Sequence, residues 1–154
     1  MPSLMNMAIL TKNIELNGMG DRIFPLPIAV IESPYERSSL CMNTNEPGNT
    51  GGQFHGKQTA FNQGIMGFSI ESIVRELDIP LPNHIKIDVD GIEPKILRGG
   101  TEVLKRDDVK SLSVELEKDS EEFNEAFKIL TDVGFELTSE SSGDLPIKNF
   151  VFRK

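Results

Sequence analysis

A chain of 154 residues with 38% hydrophobic and 26% charged residues has the composition of one globular domain with a sizeable core. The net charge is −8, with no Lys/Arg cluster and no aromatic stripe, which argues against a phosphate-backbone partner; no nucleic acid is expected. No apolar run approaches the roughly 18 residues that span a bilayer, and Met1–Leu10 lacks a basic start, so no membrane is expected and the default location is cytoplasmic.

The 24 acids and 16 bases are unevenly spread: five acids and four bases lie up to Ala60, which leaves 19 and 12 beyond it. Cys41 is the sole cysteine, so no intrachain disulfide forms, and its expected role is packing.

In chain order, Ser3–Leu16 places Leu4, Met7, Ala8, Ile9 and Leu16 mostly on one face, predicting an amphipathic helix capped by Ser3 and closed by Asn17-Gly18. Arg22–Ile31 reads as a strand whose start is made irregular by Pro25 and Pro27. Ser33-Pro34-Tyr35 is a turn. Glu36–Met42 and Gly52–Lys57 are placed to pair as a loose hairpin around Asn43–Gly51, a stretch without core pattern that reads as a mobile loop. His55 follows it, read as an ordinary surface histidine or, more sharply, as a general base.

Ser69–Leu77 carries a capping-box pattern and predicts a short helix stopped by Pro80 and Pro82. The strand of His84–Val89 alternates apolar Ile85, Ile87 and Val89 with polar residues. A helix is expected over Glu93–Arg106, interrupted at Gly99-Gly100. Ser111–Leu116 alternates as a strand, and Ser120–Val133 presents Phe123, Ala126, Phe127, Leu130 and Val133 as a core stripe ending at Gly134. Phe135–Ser139 and Ile147–Arg153 are strands expected to pair antiparallel across the turn at Ser141–Asp144. This alternation predicts an α/β fold, a mainly parallel sheet with an antiparallel C-terminal edge.

The densest chemistry is Asp88-x-Asp90-Gly91-x-Glu93, three carboxylates around a glycine turn between a strand and a helix. Open α/β sheets place active sites at this end of their strands. An EF-hand loop does not fit, because Gly91 directly follows Asp90 and the context is a strand. The hydrophobic strand ending in Asp-x-Asp-Gly resembles haloacid-dehalogenase phosphatases, which implies Asp88 as nucleophile and Asp90 as acid/base. Against it, Ile92 stands where those enzymes carry Thr, and 87 residues precede Asp88.

A wider resemblance takes in nearly the whole chain. Ile85–Glu93, Ile96-Leu97-Arg98-Gly99-Gly100 and Leu112–Leu116 resemble the FkbM family of S-adenosylmethionine-dependent methyltransferases. Asn13–Asn17, Ile28-Ala29-Val30 and Phe68–Ile73 agree in order. The resemblance implies a Rossmann-like class I methyltransferase fold in one domain over 1–154, and O-methylation of a small-molecule or glycan-type hydroxyl acceptor. Asp88, Asp90 and Glu93 are then the catalytic candidates. Asp88 would orient the acceptor, help its deprotonation or hold a divalent cation, although no metal site is assigned. Ala29 and Val30 fall at the adenine pocket, so S-adenosylmethionine is the implied cofactor. Lys86 would neutralise the acids, Glu115 either faces the same cleft or is an ordinary exposed acid, and His84 is structural.

The family's glycine-rich turn, which brings backbone amides close to the cofactor, has no counterpart here. Gly18-Met19-Gly20 lies in the wrong place, and Met1-Pro2-Ser3 falls where the family has its ribose-binding Glu-Pro. The chain therefore reads as N-terminally truncated. In this fold the missing first strand lies beside the acidic strand, so that strand is expected to have an open edge, which a second copy or a separate N-terminal piece would fill. The rival expectation is a non-catalytic remnant or interaction module.

Overall fold

The computed structural model describes residues 2–46, 48, 52–54, 59–89, 91–143 and 145–154. Among these residues it is a mixed α/β structure with two four-stranded sheets. Two compact units are present, Met1–Ala29 with Glu36–Gly67, and Val30–Tyr35 with Phe68–Lys154.

In the first unit, helix α1 (Leu4–Leu16) starts where the Ser3 hydroxyl accepts from the Asn6 amide at 3.2 Å. That satisfies one of the donors a helix start leaves open. Gln63 adds a second tie, accepting from the Leu4 amide at 2.8 Å and donating to the Pro2 carbonyl at 3.3 Å. Gly18 leaves the helix at φ 63°, the left-handed position that favours glycine. The expected single apolar face is not what forms. Apolar residues surround the helix, only Ile14 is buried, and Leu16 is 71% exposed.

Strand β1 is Ala29–Val30 alone. The longer strand expected from Arg22 shortens because Pro25 and Pro27 have no amide to donate to a ladder. β2 (Tyr35–Met42) pairs antiparallel with β3 (Gln53–Phe54), Leu40 opposite Phe54, as the hairpin pattern predicts. The sequence reading missed β4 (Phe61–Phe68), which lies between β1 and β2 in the order β1-β4-β2-β3. Leu40, Met42 and Ile65 make a small core with Ala29 and Phe54 against them. His55 and part of the Asn43–Gly51 stretch lie outside the described residues.

The second unit carries the larger core. Helix α2 (Ile70–Glu76) is capped by Ser69, whose hydroxyl accepts from the Ser72 amide at 3.1 Å. β5 (His84–Ile87) lies parallel to β6 (Ser111–Glu117), His84 beside Ser111 and Ile87 beside Val114. The chain passes between them through α3 (Glu93–Arg98) and α4 (Thr101–Leu104), broken at Gly99-Gly100. Helix α5 (Glu121–Asp132) is capped by Ser120 and ends near Gly134, at φ 92°. β8 (Ile147–Arg153) pairs antiparallel with β6, and β7 (Glu136–Glu140) antiparallel with β8.

The sheet order is β5-β6-β8-β7. The C-terminal edge is antiparallel, as expected, but the sheet is mixed rather than mainly parallel: β5–β6 is its one parallel pairing among the described residues. A return to β6 through the β7–β8 hairpin reverses the chain, and a short hairpin permits only antiparallel pairing. β5 pairs with β6 alone among the described residues, so its other edge is open. Leu97, Leu104, Leu112, Val114, Phe150 and Phe152 are essentially inaccessible at the centre of the core. No described helix is long and apolar enough to cross a membrane.

Candidate active site

Alternation on two parallel strands builds the site. On β5 and β6, Ile87, Leu112 and Val114 turn into the core. Their neighbours His84 and Lys86 lie in register with Ser111 and Ser113. One residue beyond the Ile87–Val114 pair, Asp88 leaves β5 beside Glu115 of β6. The carboxyl ends of parallel strands lie on the same edge of the sheet, so the two acids meet there without any long-range coincidence.

The Asp88 and Glu115 carboxyl groups are close enough for each to shift the other's proton affinity. Lys86 donates to Asp88 Oδ2 at 2.5 Å. The ammonium holds the Asp88 carboxyl below its ordinary range, and Asp88 in turn raises Lys86. Glu115 goes the other way: burial pushes its carboxyl up, and the negative charge of Asp88 adds to that. Asn149, opposite Glu115 in the β6–β8 ladder, donates to Glu115 Oε1 at 3.4 Å. Two neighbouring carboxyls cannot both ionise freely, so they separate into a more acidic and a less acidic member.

A cleft of about 320 Å³ opens at these strand ends. Val89, Leu116 and Ile147 supply apolar wall, Glu115, Glu117 and Glu122 make it acidic, and Glu93 lines it with its carboxylate engaged at Gly91. Gly91, also on the wall, turns at φ 86°, a conformation that suits glycine between β5 and α3.

The three acids singled out in the sequence are placed differently. Asp88 is exposed and held by Lys86. Asp90 lies outside the described residues. Glu93 is only 2% exposed, and its carboxylate accepts from the Gly91 amide at 3.4 Å, closing the turn from within. Ala29 and Val30 are half-buried, Ala29 against Leu40, Met42 and Ile65, and Val30 against the core that holds Ile87 and Leu97. His84 bonds Ser111, Nδ1 to Oγ at 2.8 Å, and ties the far ends of β5 and β6. Among the described residues no group of three or more His, Cys, Asp or Glu is placed to hold a metal ion.

The sequence reading left Glu115 open and missed Asn149. Only the β6–β8 register brings Asn149 to Glu115, and a single strand pattern carries no record of which residue lies opposite it.

The family model described as the methyltransferase FkbM domain matches residues 9–137. That span takes in Asp88, Asp90, Glu93 and Glu115 and extends far beyond the Asp-x-Asp-Gly turn on which the haloacid-dehalogenase resemblance rests. No match was found among curated proteins or among solved structures. That match spans well over half of the chain, and the chain belongs to the FkbM methyltransferase family.

Proposed function

We propose that this methyltransferase acts on oxygen, using S-adenosylmethionine as donor and a hydroxyl of a small-molecule or glycan-type acceptor. The observation that carries this reading is the Asp88–Glu115 carboxyl pair at the carboxyl ends of β5 and β6, with Glu115 opening onto the cleft. A hydroxyl needs its proton removed as it becomes a nucleophile, and a positioned carboxylate is a suitable acceptor.

The cleft's chemistry fits the donor. S-adenosylmethionine supplies a methyl group activated by a sulfonium charge when bound. Glu115, Glu117 and Glu122 complement a cation, and Val89, Leu116 and Ile147 offer apolar surface to a methyl group. Ala29 and Val30 are proposed adenine contacts on the family resemblance alone. Asp88, kept ionised by Lys86, fixes the acceptor's approach through its carboxyl partner. Holding the hydroxyl in line is the chain's second contribution, since orientation alone removes much of the barrier.

The test is methyl transfer by the purified full chain from isotopically labelled S-adenosylmethionine to a panel of polyhydroxylated acceptors, with donor binding followed by calorimetry. Label in an ether-linked methyl supports the reading. A folded chain that neither binds the donor nor labels any acceptor overturns it.

A further inference from the structure

We infer that Glu115, rather than Asp88, takes the acceptor's proton, with Asp88 and Asn149 acting on it as positioning residues; this rests on the O-methyl transfer proposed above. The two acids act on each other's charge but face different surroundings. Glu115 lines the cleft together with Glu93, Glu117 and Glu122, whereas Asp88 is not part of its wall. Asp88 is turned to Lys86, which engages it at 2.5 Å on the exposed side. Asn149 bonds Glu115 Oε1 and engages one oxygen of the carboxylate, leaving the other for a substrate hydroxyl.

The charges around Glu115 favour that assignment. Lys86 and Asp88 act on it from β5 and Asn149 from β8, and Glu93 of α3 and Glu122 of α5 line the same cleft. Only Lys86 among these is a cation, and it is spent on Asp88. Glu115 is therefore the carboxylate with the higher proton affinity of the pair, and Asp88 the one that stays ionised. Paired acids whose surroundings push their proton affinities apart divide acid–base work in this way.

In the transfer, the hydroxyl oxygen forms its bond to the methyl carbon, the electrons of the broken methyl–sulfur bond stay on sulfur, and the hydroxyl proton passes to the Glu115 carboxylate. Solvent at the cleft mouth then takes the proton away.

The experiment has two readouts on the full chain. Carboxyl ¹³C NMR titration of wild type and Asp88→Asn does not depend on turnover. Glu115 is expected to titrate above Asp88, and Asp88→Asn to move the Glu115 midpoint down while leaving it above an ordinary glutamate, because burial remains. An Asp88 midpoint above that of Glu115 overturns the assignment. In the kinetic arm, Glu115→Gln is expected to lower kcat about 100-fold with little change in KM, the scale of a lost general base. Glu115→Asp, which keeps the carboxylate, recovers part of that loss, whereas a merely structural role would leave both variants alike. If wild type transfers methyl and Glu115→Gln does so equally well, the base role fails while O-methyl transfer stands. If wild type transfers nothing, O-methyl transfer fails and the base role with it.

Discussion

Arg98 grips Glu32 through two parallel hydrogen bonds, Nε to Oε1 at 3.0 Å and Nη2 to Oε2 at 3.1 Å, and its remaining Nη1 donates to Glu125 of α5. The planar guanidinium matches a carboxylate in this bidentate form, which lysine cannot reproduce. Arg98→Lys is expected to lower stability by about 0.5–1 kcal/mol, the upper part of the range for pairs this exposed. Arg98 holds the Glu32 carboxyl below its ordinary value. A depressed carboxylate stabilises the fold above its unfolded pKa, near 4.3, and loses that contribution as pH falls through its lower folded value. Urea unfolding at pH 7 and again below pH 4 is expected to show the gap between wild type and Arg98→Lys narrowing in acid. A gap that persists unchanged would mean that Glu32 is not the partner that matters.

Beside Arg98, two adjacent glycines meet different neighbours. A Cβ at Gly99 would lie 2.7 Å from the Glu32 carbonyl oxygen and 2.8 Å from that of Ile31, both backbone atoms. At Gly100 the closest atom is Ile70 Cδ1, at 2.8 Å, the free end of a side chain. Backbone cannot yield without moving its whole segment, while the isoleucine tip can change rotamer and its Cβ, at 3.1 Å, need give only a few tenths of an ångström. Gly99→Ala is expected to cost about 2–3 kcal/mol and Gly100→Ala about 1 kcal/mol or less. Equal losses in chemical denaturation would refute this explanation of the paired glycines.

The helix caps offer a comparison of two serines with the same local role. Ser120 accepts from the Phe123 amide at 3.0 Å at the half-exposed start of α5. Ser69 accepts from the Ser72 amide at 3.1 Å, and its hydroxyl also bonds that of Ser72 at 3.2 Å, with both serines buried. Ser120→Ala is expected to cost about 1 kcal/mol, the usual value of a lost cap. Ser69→Ala leaves a buried hydroxyl and a buried amide short of a partner, so about 2–3 kcal/mol is expected. Thermal melts of both variants check the order, and a larger loss for Ser120→Ala would reverse it.

Those caps also show which parts of the structure were legible from sequence. Ser3 and Ser69 act on amides three residues away, so the signal and its partner sit in one window; Ser120 does the same, although its sequence pattern reads only as the start of a helix. The β5 strand, its glycine turn and the helix after it were legible for the same reason. β4 was not: Gly64 and Gly67 break the alternation of Phe61–Phe68, and its place between β1 and β2 depends on partners distant in the chain. The face of α1 was misjudged because apolar residues at helical spacing indicate an amphipathic helix only where polar residues occupy the other side, and here few do. At the site, the acids of the turn were found, but their division of roles was not. Asp88 and Glu115 are 27 positions apart, and Glu93 looked like a reactive acid until its burial placed it against Gly91.

The Asp88–Glu115 pair carries an opposite stability signature from that of Glu32. Burial and the Asp88 charge raise the Glu115 carboxyl above its unfolded value. A raised acid stabilises the fold while protonated, fully below its unfolded pKa, and works against folding as pH rises through its higher folded value and the charge appears. Glu115→Gln has no charge to develop and keeps an oxygen for Asn149. It is expected to be more stable than wild type at pH 7, by up to about 1 kcal/mol, while losing methyl transfer, the usual opposition between stability and a strained functional group. The gain should shrink as pH falls through the folded Glu115 value and vanish below about pH 4, where wild type is protonated in both states. Asp88→Asn should capture part of the same gain, since it removes the second cause of the Glu115 shift but not the burial. Unfolding curves for the three proteins across pH 4 to 8 settle the sign. A Glu115→Gln variant less stable than wild type at pH 7 would mean that the carboxylate is a structural anchor of β6 rather than a group held ready to receive a proton.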